Sequence, residues 1–357
     1  MKIMKKTVIA LAIAALAAAG TSSAATVYNQ DGTKVELGGS MRIFLGKLGE
    51  NQRGNLVNDG SRINIKASKA LENGLSAFAG YELRFERDAL KNKEASNNNF
   101  GDPTTRKLFV GLGFENVGKL SFGRQSTTAD DVVGDSLYYD SGALNPLTTR
   151  SDKSVQFRSD EFGGFSFGVD YLFGNAEKHT AKNYKNGYQV GAFYNYEIAD
   201  NHKVDAAAVY TVDQFDTVAS SETNQKNHTW VLATHYQLQD LKLGAAYGQG
   251  VHKYRTQDDN NKSKYIFLEA KYDLNGLTGI PTTFGLQWER LSKKYDTAAA
   301  TAQDDGKTIK NHYIAVVDYK LHKNVVPYVQ YTRATEKDNL GQRTNENIYG
   351  AGLRVHF

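Results

Sequence analysis

Residues 75–87 read LSAFAGYELRFER and set the pattern for most of the chain. One set of alternate positions is apolar: Leu75, Ala77, Ala79, Tyr81, Leu83 and Phe85. The positions between them become charged towards the end of the stretch: Glu82, Arg84 and Glu86. A period of two is typical of a β-strand with one apolar and one polar face, and such a strand is long for a soluble sheet. The stretch therefore predicts one strand of an unusual sheet.

The same alternation continues on both sides of this stretch. The other predicted strands are 34–48, 60–70, 105–114, 118–125, 152–159, 164–173, 187–198, 202–214, 227–238, 240–254, 263–274, 281–292, 309–321, 325–336 and 346–357. They make sixteen strands in one domain, and no interdomain linker is visible.

The connections between these strands alternate in length. The short ones are 115–117, 160–163, 199–201, 239–240, 275–280 and 322–324. The long polar ones are 88–104, 126–149, 174–186, 215–226, 255–262, 293–308 and 337–345. Short turns at one end and long loops at the other are typical of an up-and-down barrel in an outer membrane. The fold class predicted is all-β, a 16-stranded antiparallel transmembrane β-barrel with an inward-folded third loop.

Composition favours this class over the alternatives. The mean hydropathy is −0.53, and no apolar run long enough for a spanning helix follows residue 24. Tyr (21), Phe (17) and Gly (33) are frequent while Pro (4) is rare, and no long stretch has the helical period. Strands that face lipid on one side and water on the other give such a polar average. With no cysteine, an exported chain has no disulfides.

The start of the chain has the features of a secretory signal. Lys2, Lys5 and Lys6 precede the apolar run VIALAIAALAAAG, and small residues at 21–24 suit signal peptidase. We expect residues 1–24 to be removed, leaving a β-barrel domain at 25–357. The mature chain then has 40 Lys and Arg against 39 Asp and Glu, so its charge gives no case for nucleic-acid binding. At the other end, Phe357 closes an alternating strand, as in many outer-membrane barrels.

Residues 126–149, STTADDVVGDSLYYDSGALNPLTT, do not alternate. This segment contains acidic residues and no Lys or Arg, whereas Arg150, Lys153 and Arg158 follow it. A long connection without secondary structure is usually functional or disordered. We expect it to fold into the barrel and constrict a pore, with Asp131, Asp135 and Asp140 as its acidic residues. An acidic surface loop of no functional consequence is the alternative.

Basic residues on the polar strand faces are the candidates for the opposing wall. Arg42 lies on a polar face and is a candidate for the constriction itself. Lys66 and Arg84, also on polar faces, and Arg158, which follows the acidic segment, are predicted to line the pore. A simpler explanation for such residues is that any side chain facing a water-filled interior must be polar.

Several segments resemble the Gram-negative general diffusion porins. They are the start of the mature chain, ATVYNQDGTKVELGGSMR, and the two hairpins VGLGFENVGKLSFGRQ (110–125) and FRSDEFGGFSFGVDYLFG (157–174) on either side of the acidic segment. The resemblance covers the mature chain. It is greatest to the major porins of the Pasteurella and Haemophilus group (OmpH-like) and more distant to the OmpC and OmpF type. It implies a homotrimer with one pore per barrel.

The resemblance also implies which basic residues line the constriction. Arg62 in SRINIK, Arg106 in TTRKLFVGL and Arg150 match basic positions of that family. The acidic segment lacks the family's Pro-Glu-Phe-Gly-Gly motif, so its acids do not transfer one by one. Arg106 shares strand parity with Leu108 and Val110, and the pattern allows only one of Arg106 and Lys107 to face inward. The resemblance favours Arg106.

These observations predict an outer-membrane porin of a Gram-negative bacterium, with a water-filled pore for passive diffusion of ions and small hydrophilic solutes. Opposed Arg and Asp side chains would set its selectivity. The expected partners are the other chains of a homotrimer, outer-membrane lipid and lipopolysaccharide.

A substrate-specific channel for a sugar or anion is the second candidate function, and an outer-membrane enzyme or adhesin is the third. No catalytic, nucleotide-binding or calcium-loop motif is present, so we expect no enzyme activity, cofactor or metal site. The pattern leaves open the pore radius, the ion preference and voltage gating.

Overall fold

The computed structural model describes residues 24–85, 101–133, 137, 142–177, 183–216, 224–254, 261–294 and 306–357. Eighteen β segments occur among them. They are β1 Ala25–Gln30, β2 Thr33–Lys47, β3 Gly54–Asn58, β4 Arg62–Ala70, β5 Leu75–Phe85, β6 Pro103–Phe114, β7 Gly118–Ser126, β8 Arg150–Ser159, β9 Phe165–Phe173, β10 Asn183–Ala199, β11 His202–Asp216, β12 Asn224–Leu238, β13 Leu241–Tyr254, β14 Asn261–Asp273, β15 Thr282–Lys294, β16 Lys307–Tyr319, β17 Val325–Lys337 and β18 Arg343–His356.

These segments form one closed antiparallel sheet. From β4 to β18 each segment pairs with the next, and β18 closes the ring by pairing with β2. The C-terminal part of β2 pairs with β3, and its N-terminal part pairs with β4. The segments β3 and β4 therefore form one barrel strand, which is interrupted at residues 59–61. β1 pairs with the start of β2 and continues the line of β18. Eighteen segments therefore make sixteen barrel strands, which confirms the predicted 16-stranded antiparallel β-barrel.

The two faces of the wall have the reverse of the polarity found in a soluble protein. Alternate polar residues are buried, such as Gln189 at 2% exposure and Thr332 at 0%. The apolar residues between them are exposed, such as Leu232 at 53% and Val329 at 55%. Apolar side chains that face outward along the strands are stable against lipid and not against water. A closed barrel can stand in lipid because it satisfies its backbone hydrogen bonds and leaves no edge.

Tight turns close the hairpins at the short-connection end. Asn116, Asn201 and Gln239 adopt positive φ there, at 61°, 57° and 52°. Asn and Gly tolerate this left-handed region better than most residues. The longest turn at this end holds a single helical turn, Asn275–Thr278, which ends at Gly279 with φ 69°. No helix in the described ranges is long and apolar enough to cross a membrane.

The predicted strands correspond to β2 and β4–β18 within a few residues at each end. The segments β1 and β3 were not predicted. β1 is a six-residue polar hairpin arm, and β3 lies beyond the interruption that separates it from β4. Most of the long connection 88–104 lies outside the described residues.

Candidate functional site

The barrel encloses a charged cavity of about 1370 Å³. Its lining includes Arg62, Arg106 and Lys107 from the barrel strands. It also includes Asp130 and Asp131, from the segment that follows β7. The cavity thus brings together cations from the wall and carboxylates from the acidic segment.

Six cationic side chains on β2, β4, β5, β6 and β18 form what we call the basic wall: Arg42, Arg62, Arg84, Arg106, Lys107 and Arg354. Strand register places these cations next to one another. Arg42 lies directly opposite Arg354, and Arg62 lies opposite Arg84. Like charges directly opposite in a sheet are unfavourable. The wall therefore needs carboxylates close to it.

Asp59, in the interruption between β3 and β4, is one of these carboxylates. Its side chain is fully buried and accepts hydrogen bonds from Arg354 Nη2 at 2.8 Å and from the Tyr328 hydroxyl at 3.1 Å. Its backbone N–H donates to the carbonyl of Arg42 at 2.9 Å. The interruption therefore introduces a buried acid that pairs with Arg354 of the wall.

Gly60, the next residue, lets an arginine lie against the backbone. Its φ is 74°, and a Cβ added there would meet Arg84 Nη2 at 2.4 Å. Only a residue without a side chain allows both the left-handed conformation and this close approach. The guanidinium of Arg84 therefore lies where a side chain at residue 60 would otherwise be.

Glu82 is the second carboxylate of the wall, and it contacts three cations. Its Oε1 lies 3.6 Å from Arg62 Nη1 and 3.5 Å from Arg106 Nε, and its Oε2 lies 4.0 Å from Lys107 Nζ. The register between β5 and β6 shifts between Glu82 and Leu83, so that Arg106 is an extra residue in the ladder. Such a bulge breaks strict alternation. The expectation that only one of Arg106 and Lys107 faces inward was wrong, because both reach Glu82.

The acidic segment is tied to the strands that follow it. The Thr128 hydroxyl donates to Asp170 Oδ1 at 2.8 Å, and its backbone N–H donates to the other carboxylate oxygen. The backbone N–H of Ala129 donates to Gln189 Oε1 at 3.1 Å, and Gln189 Nε2 donates to the Thr148 carbonyl at 2.8 Å. Both ends of the segment are therefore held by inward-facing residues of β9 and β10.

Glu289 on β15 binds the backbone of the acidic segment at residues 142–144. Its two carboxylate oxygens accept the backbone N–H groups of Gly142, at 2.5 Å, and Leu144, at 2.9 Å. The side chain of Glu289 is completely buried. A carboxylate that accepts two backbone N–H groups makes charge-assisted bonds, which are about twice as strong as neutral ones.

Apolar residues of the same segment pack against two regions of the barrel. Four of them join residues of β11–β14 in one buried cluster: Ala129, Val132, Leu144 and Leu147. Leu137 belongs to a second cluster, with residues of β2, β3 and β16–β18 such as Phe44 and Val316. The segment therefore makes contacts with two separate parts of the wall.

Of the three predicted acids, only Asp131 lies within the described residues. Its Oδ2 accepts a hydrogen bond from Arg158 Nη2 at 2.6 Å, and its side chain is 57% exposed to the cavity. Asp130 lines the same cavity, although we did not predict it. Asp135 and Asp140 lie outside the described residues.

The predicted cations divide between two cavities. Arg62, Arg106 and Arg158 line the large one. Arg150 lies at the long-connection end of β8 and lines a separate cavity of about 640 Å³ with Arg124. The structure therefore does not bring Arg150 together with Arg62 and Arg106. Arg42, Arg84 and Lys66 are half-buried on the inner faces of β2, β5 and β4.

Sequence reasoning missed the buried groups that position these cations. Glu82 and Arg354 lie on polar faces of predicted strands, so the alternation could have identified them. Asp170 and Glu289 also lie on polar faces, but their partners could not be predicted, because those partners lie far away in the chain. Asp59 lies outside the predicted strands and gave no signal. Among the described residues, no group of His, Cys, Asp and Glu is arranged to hold a metal ion.

Comparison with known proteins gives the class of this barrel. Residues 10–339 match the family model for Gram-negative porins. The "Major outer membrane protein" of Pasteurella multocida is 36% identical over 366 residues, covering 99% of this chain and 100% of that protein. In-vitro folded OmpT of Vibrio cholerae, in its trimer form, superposes with a TM-score of 0.66 at 19% identity, covering 92% and 100% of the two chains. The anion-selective porin from Comamonas acidovorans gives 0.68 at 17% identity, covering 91% and 100%.

A closed 16-stranded wall, apolar outside and charged inside, defines a water-filled channel of an outer membrane. The chain belongs to the Gram-negative porin family, as the resemblance implied. It is an outer-membrane channel for the passive diffusion of ions and small hydrophilic solutes.

Proposed function

We propose that opposed charges at a constriction set the selectivity of this channel. In this proposal residues 1–24 are removed, 25–357 form the barrel and 126–149 narrow its pore. The observation that supports it best is the shared cavity, in which Arg62, Arg106 and Lys107 lie with Asp130 and Asp131. The contacts of Thr128, Leu144 and Leu137 with inward-facing residues support the role of the segment.

Such an arrangement acts through a transverse field. At about 8 Å and an effective dielectric constant of about 40, each pair of opposed charges interacts by roughly 1 kcal/mol. Several pairs together orient polar solutes in the water between them, whereas apolar solutes lose hydration there. Selection by charge then needs no tight binding site.

The balance of charge favours anions. The basic wall has six cations, and the carboxylates that contact it, Asp59 and Glu82, are both buried. On the acidic segment, Asp131 is paired with Arg158. The lining of the cavity as a whole is balanced, with six Lys or Arg residues and six Asp or Glu residues. The excess of positive charge is local to the basic wall, where six cations meet two carboxylates, and from it we infer a mild preference of the pore for anions.

A substrate-specific channel remains the second candidate. It would present a series of aromatic side chains along the pore, and the described lining of the cavity offers charged residues instead. Single-channel recordings with increasing concentrations of individual sugars distinguish the two. A general pore shows current reduction that depends on solute size without saturation, whereas a saturable block by one sugar would establish the specific channel.

We also propose that the chain acts as a homotrimer without enzymatic activity, in contact with outer-membrane lipid. The trimer form of OmpT supports the assembly through the shared fold. Recordings of one inserted particle in a planar bilayer test it. We expect closure in three equal steps, and a single step of full amplitude would contradict the trimer.

A further inference from the structure

The smaller cavity, of about 640 Å³, lies at the long-connection end of the barrel, between β7 and β8 on one side and β10 and β11 on the other. The long connections of outer-membrane barrels face the cell exterior, so this cavity belongs to the outer mouth of the channel. The large cavity reaches the opposite end, where Glu161 and Gly163 line it. A solute that enters from outside therefore meets the smaller cavity first.

One side of this cavity is basic. Arg124 on β7 lines it together with Arg150 and Lys153 on β8. The register of β7 with β8 shifts beside Arg124, so that this one residue lies next to two residues of β8, Asp152 and Lys153. Such a bulge breaks strict alternation of side chains. The irregular pairing therefore brings three cations to one wall of the cavity.

Two of these three cations have no carboxylate partner in the described part of the chain. Arg124 pairs with Asp152 at 3.1 Å, whereas Lys153 Nζ donates to the carbonyl of Gly174 at 2.6 Å. Arg150 is half-buried and makes no hydrogen bond or ion pair with any described residue. Its guanidinium presents donors in a planar fork that matches a carboxylate or a phosphate group. This wall of the cavity is therefore suited to an anion.

Asp213, the other acid of the cavity, is already engaged. Its Oδ1 accepts a hydrogen bond from the Tyr184 hydroxyl at 2.7 Å, and its Oδ2 accepts one from the Thr148 hydroxyl at 3.2 Å. The residue is only 8% exposed. Asp213 therefore holds Tyr184 and the end of the acidic segment in place.

The other side of the cavity is aromatic and apolar. Tyr184 and Phe215 pack edge to face, with ring centroids 5.5 Å apart and an interplanar angle of 76°. Both line the cavity, together with Leu172 and Pro146. Aromatic side chains of this kind pack well against another flat ring. A ligand that uses both sides of the cavity therefore joins an anionic group to a ring.

We propose that this cavity is a capture site for organic anions in which a carboxylate or phosphate group is attached to a ring. The anionic group binds Arg150 and Lys153, and the ring packs against Phe215. A cavity of this size can hold a small organic molecule of this type. The site concentrates such solutes at the outer mouth. Capture needs this cavity alone, whereas charge selection in the pore needs the basic wall and the acidic segment.

The unmodified channel provides the first test. Benzoate, phenyl phosphate, inorganic phosphate or benzamide is added to each side of a planar bilayer in turn, and the concentration dependence of the added current noise gives a dissociation constant. Inorganic phosphate lacks the ring and benzamide lacks the charge, so at least one ring-bearing anion should bind about tenfold more tightly than either. Tighter binding of only one ring-bearing anion would show which anionic group the site takes. Equal dissociation constants for all four solutes would overturn the proposal.

Matched variants provide the second test. Arg150→Gln with Lys153→Gln removes two cations from the cavity, and the control Lys293→Gln with Lys310→Gln removes two from the inner faces of β15 and β16 at the same end of the barrel. The first variant should bind the tighter ring-bearing anion at least about tenfold more weakly. The control should stay within about twofold of the original, because salt screens distant charges. Equal dissociation constants for the two variants would contradict the proposal.

Phe215→Ala is a second, independent variant that keeps every cation. Loss of the ring contact should weaken binding of the same anion by about threefold and leave binding of inorganic phosphate unchanged. An open-channel current shows that each variant has folded and inserted. The zero-current potential of the same channels in a salt gradient reports on charge selection in the pore, so either proposal can fail without the other. Binding of the ring-bearing anion that is unchanged in Phe215→Ala would refute the aromatic side of the site.

Discussion

At the scale of single residues, the basic wall depends on acids that are hidden from the pore. Six cations share a small region of the inner face, and two buried carboxylates, Asp59 and Glu82, contact four of them. Arginine stays ionised at essentially any pH, so these cations do not lose their charge when they crowd. The acids therefore determine whether this crowding is tolerated.

Asp59 is the acid whose loss should be most costly. In Asp59→Asn the buried guanidinium of Arg354 keeps a hydrogen-bond acceptor and loses its counter-charge. Breaking a buried ion pair by removing one partner typically costs 3–5 kcal/mol, and we expect about 3 kcal/mol here. Urea unfolding of the barrel in lipid vesicles measures the change.

The control for that prediction is Asp152→Asn. Asp152 pairs with Arg124 at 3.1 Å, and its side chain is 75% exposed. Exposed pairs contribute roughly 0–1 kcal/mol, so this variant should unfold close to the original midpoint. Equal shifts for the two variants would show that Asp59 has no special role.

Gly60 should be intolerant of any side chain. In Gly60→Ala the new Cβ meets Arg84 and the residue is left with φ 74°, at an expected cost of about 1–3 kcal/mol. Gly279→Ala is the control, because Gly279 also has a positive φ, at 69°, and a Cβ there has no neighbour within 4 Å. The same unfolding measurement compares them, and a variant at Gly60 as stable as the one at Gly279 would refute the close approach of Arg84.

At the scale of secondary-structure elements, alternation predicted almost every strand and its inner face. These strands show a period of two because one face contacts lipid and must be apolar, whereas the other contacts water and must be polar. Alternation failed where the ladder is irregular. The interruption at 59–61 concealed β3, and the bulge at Arg106 placed two successive cations on one face.

The anchoring of the acidic segment could not be predicted from sequence. Glu289 lies on an ordinary alternating strand, and nothing near it in the chain indicates that it binds Gly142 and Leu144. Contacts between residues about 145 positions apart exist only once the barrel has closed. The residue types of the segment predicted a role in the pore, which stays a prediction, and the fold determined its partners.

Removal of this anchor should change the current through the pore. In Glu289→Ala the backbone N–H groups of Gly142 and Leu144 lose their shared acceptor, and we expect larger and noisier single-channel conductance. Glu336→Ala is the control, since Glu336 is also an acid on an inner face and pairs with Lys310. Indistinguishable recordings from the two variants would mean that the segment does not narrow the pore.

At the scale of the whole molecule, the barrel combines two surfaces of opposite character. The inner face carries the basic wall, and the outer face carries the exposed apolar side chains that suit lipid. Nearly equal numbers of acidic and basic residues in the mature chain conceal the basic wall, because net charge contains no information about where each charge lies. Strand parity separates the two surfaces wherever the ladder is regular.

The zero-current potential in a salt gradient tests most directly the claim that opposed charges control permeation. In a planar bilayer with 0.01 M KCl on one side and 0.1 M KCl on the other, the zero-current potential of the original channel should have the sign that indicates a preference for anions. Arg62→Gln with Arg106→Gln should shift it towards cations, and Arg150→Gln, whose side chain lines another cavity, should shift it less. All differences should shrink near 1 M salt, where the Debye length falls from about 10 Å to about 3 Å. Potentials that are the same for all three proteins at low salt would contradict the account.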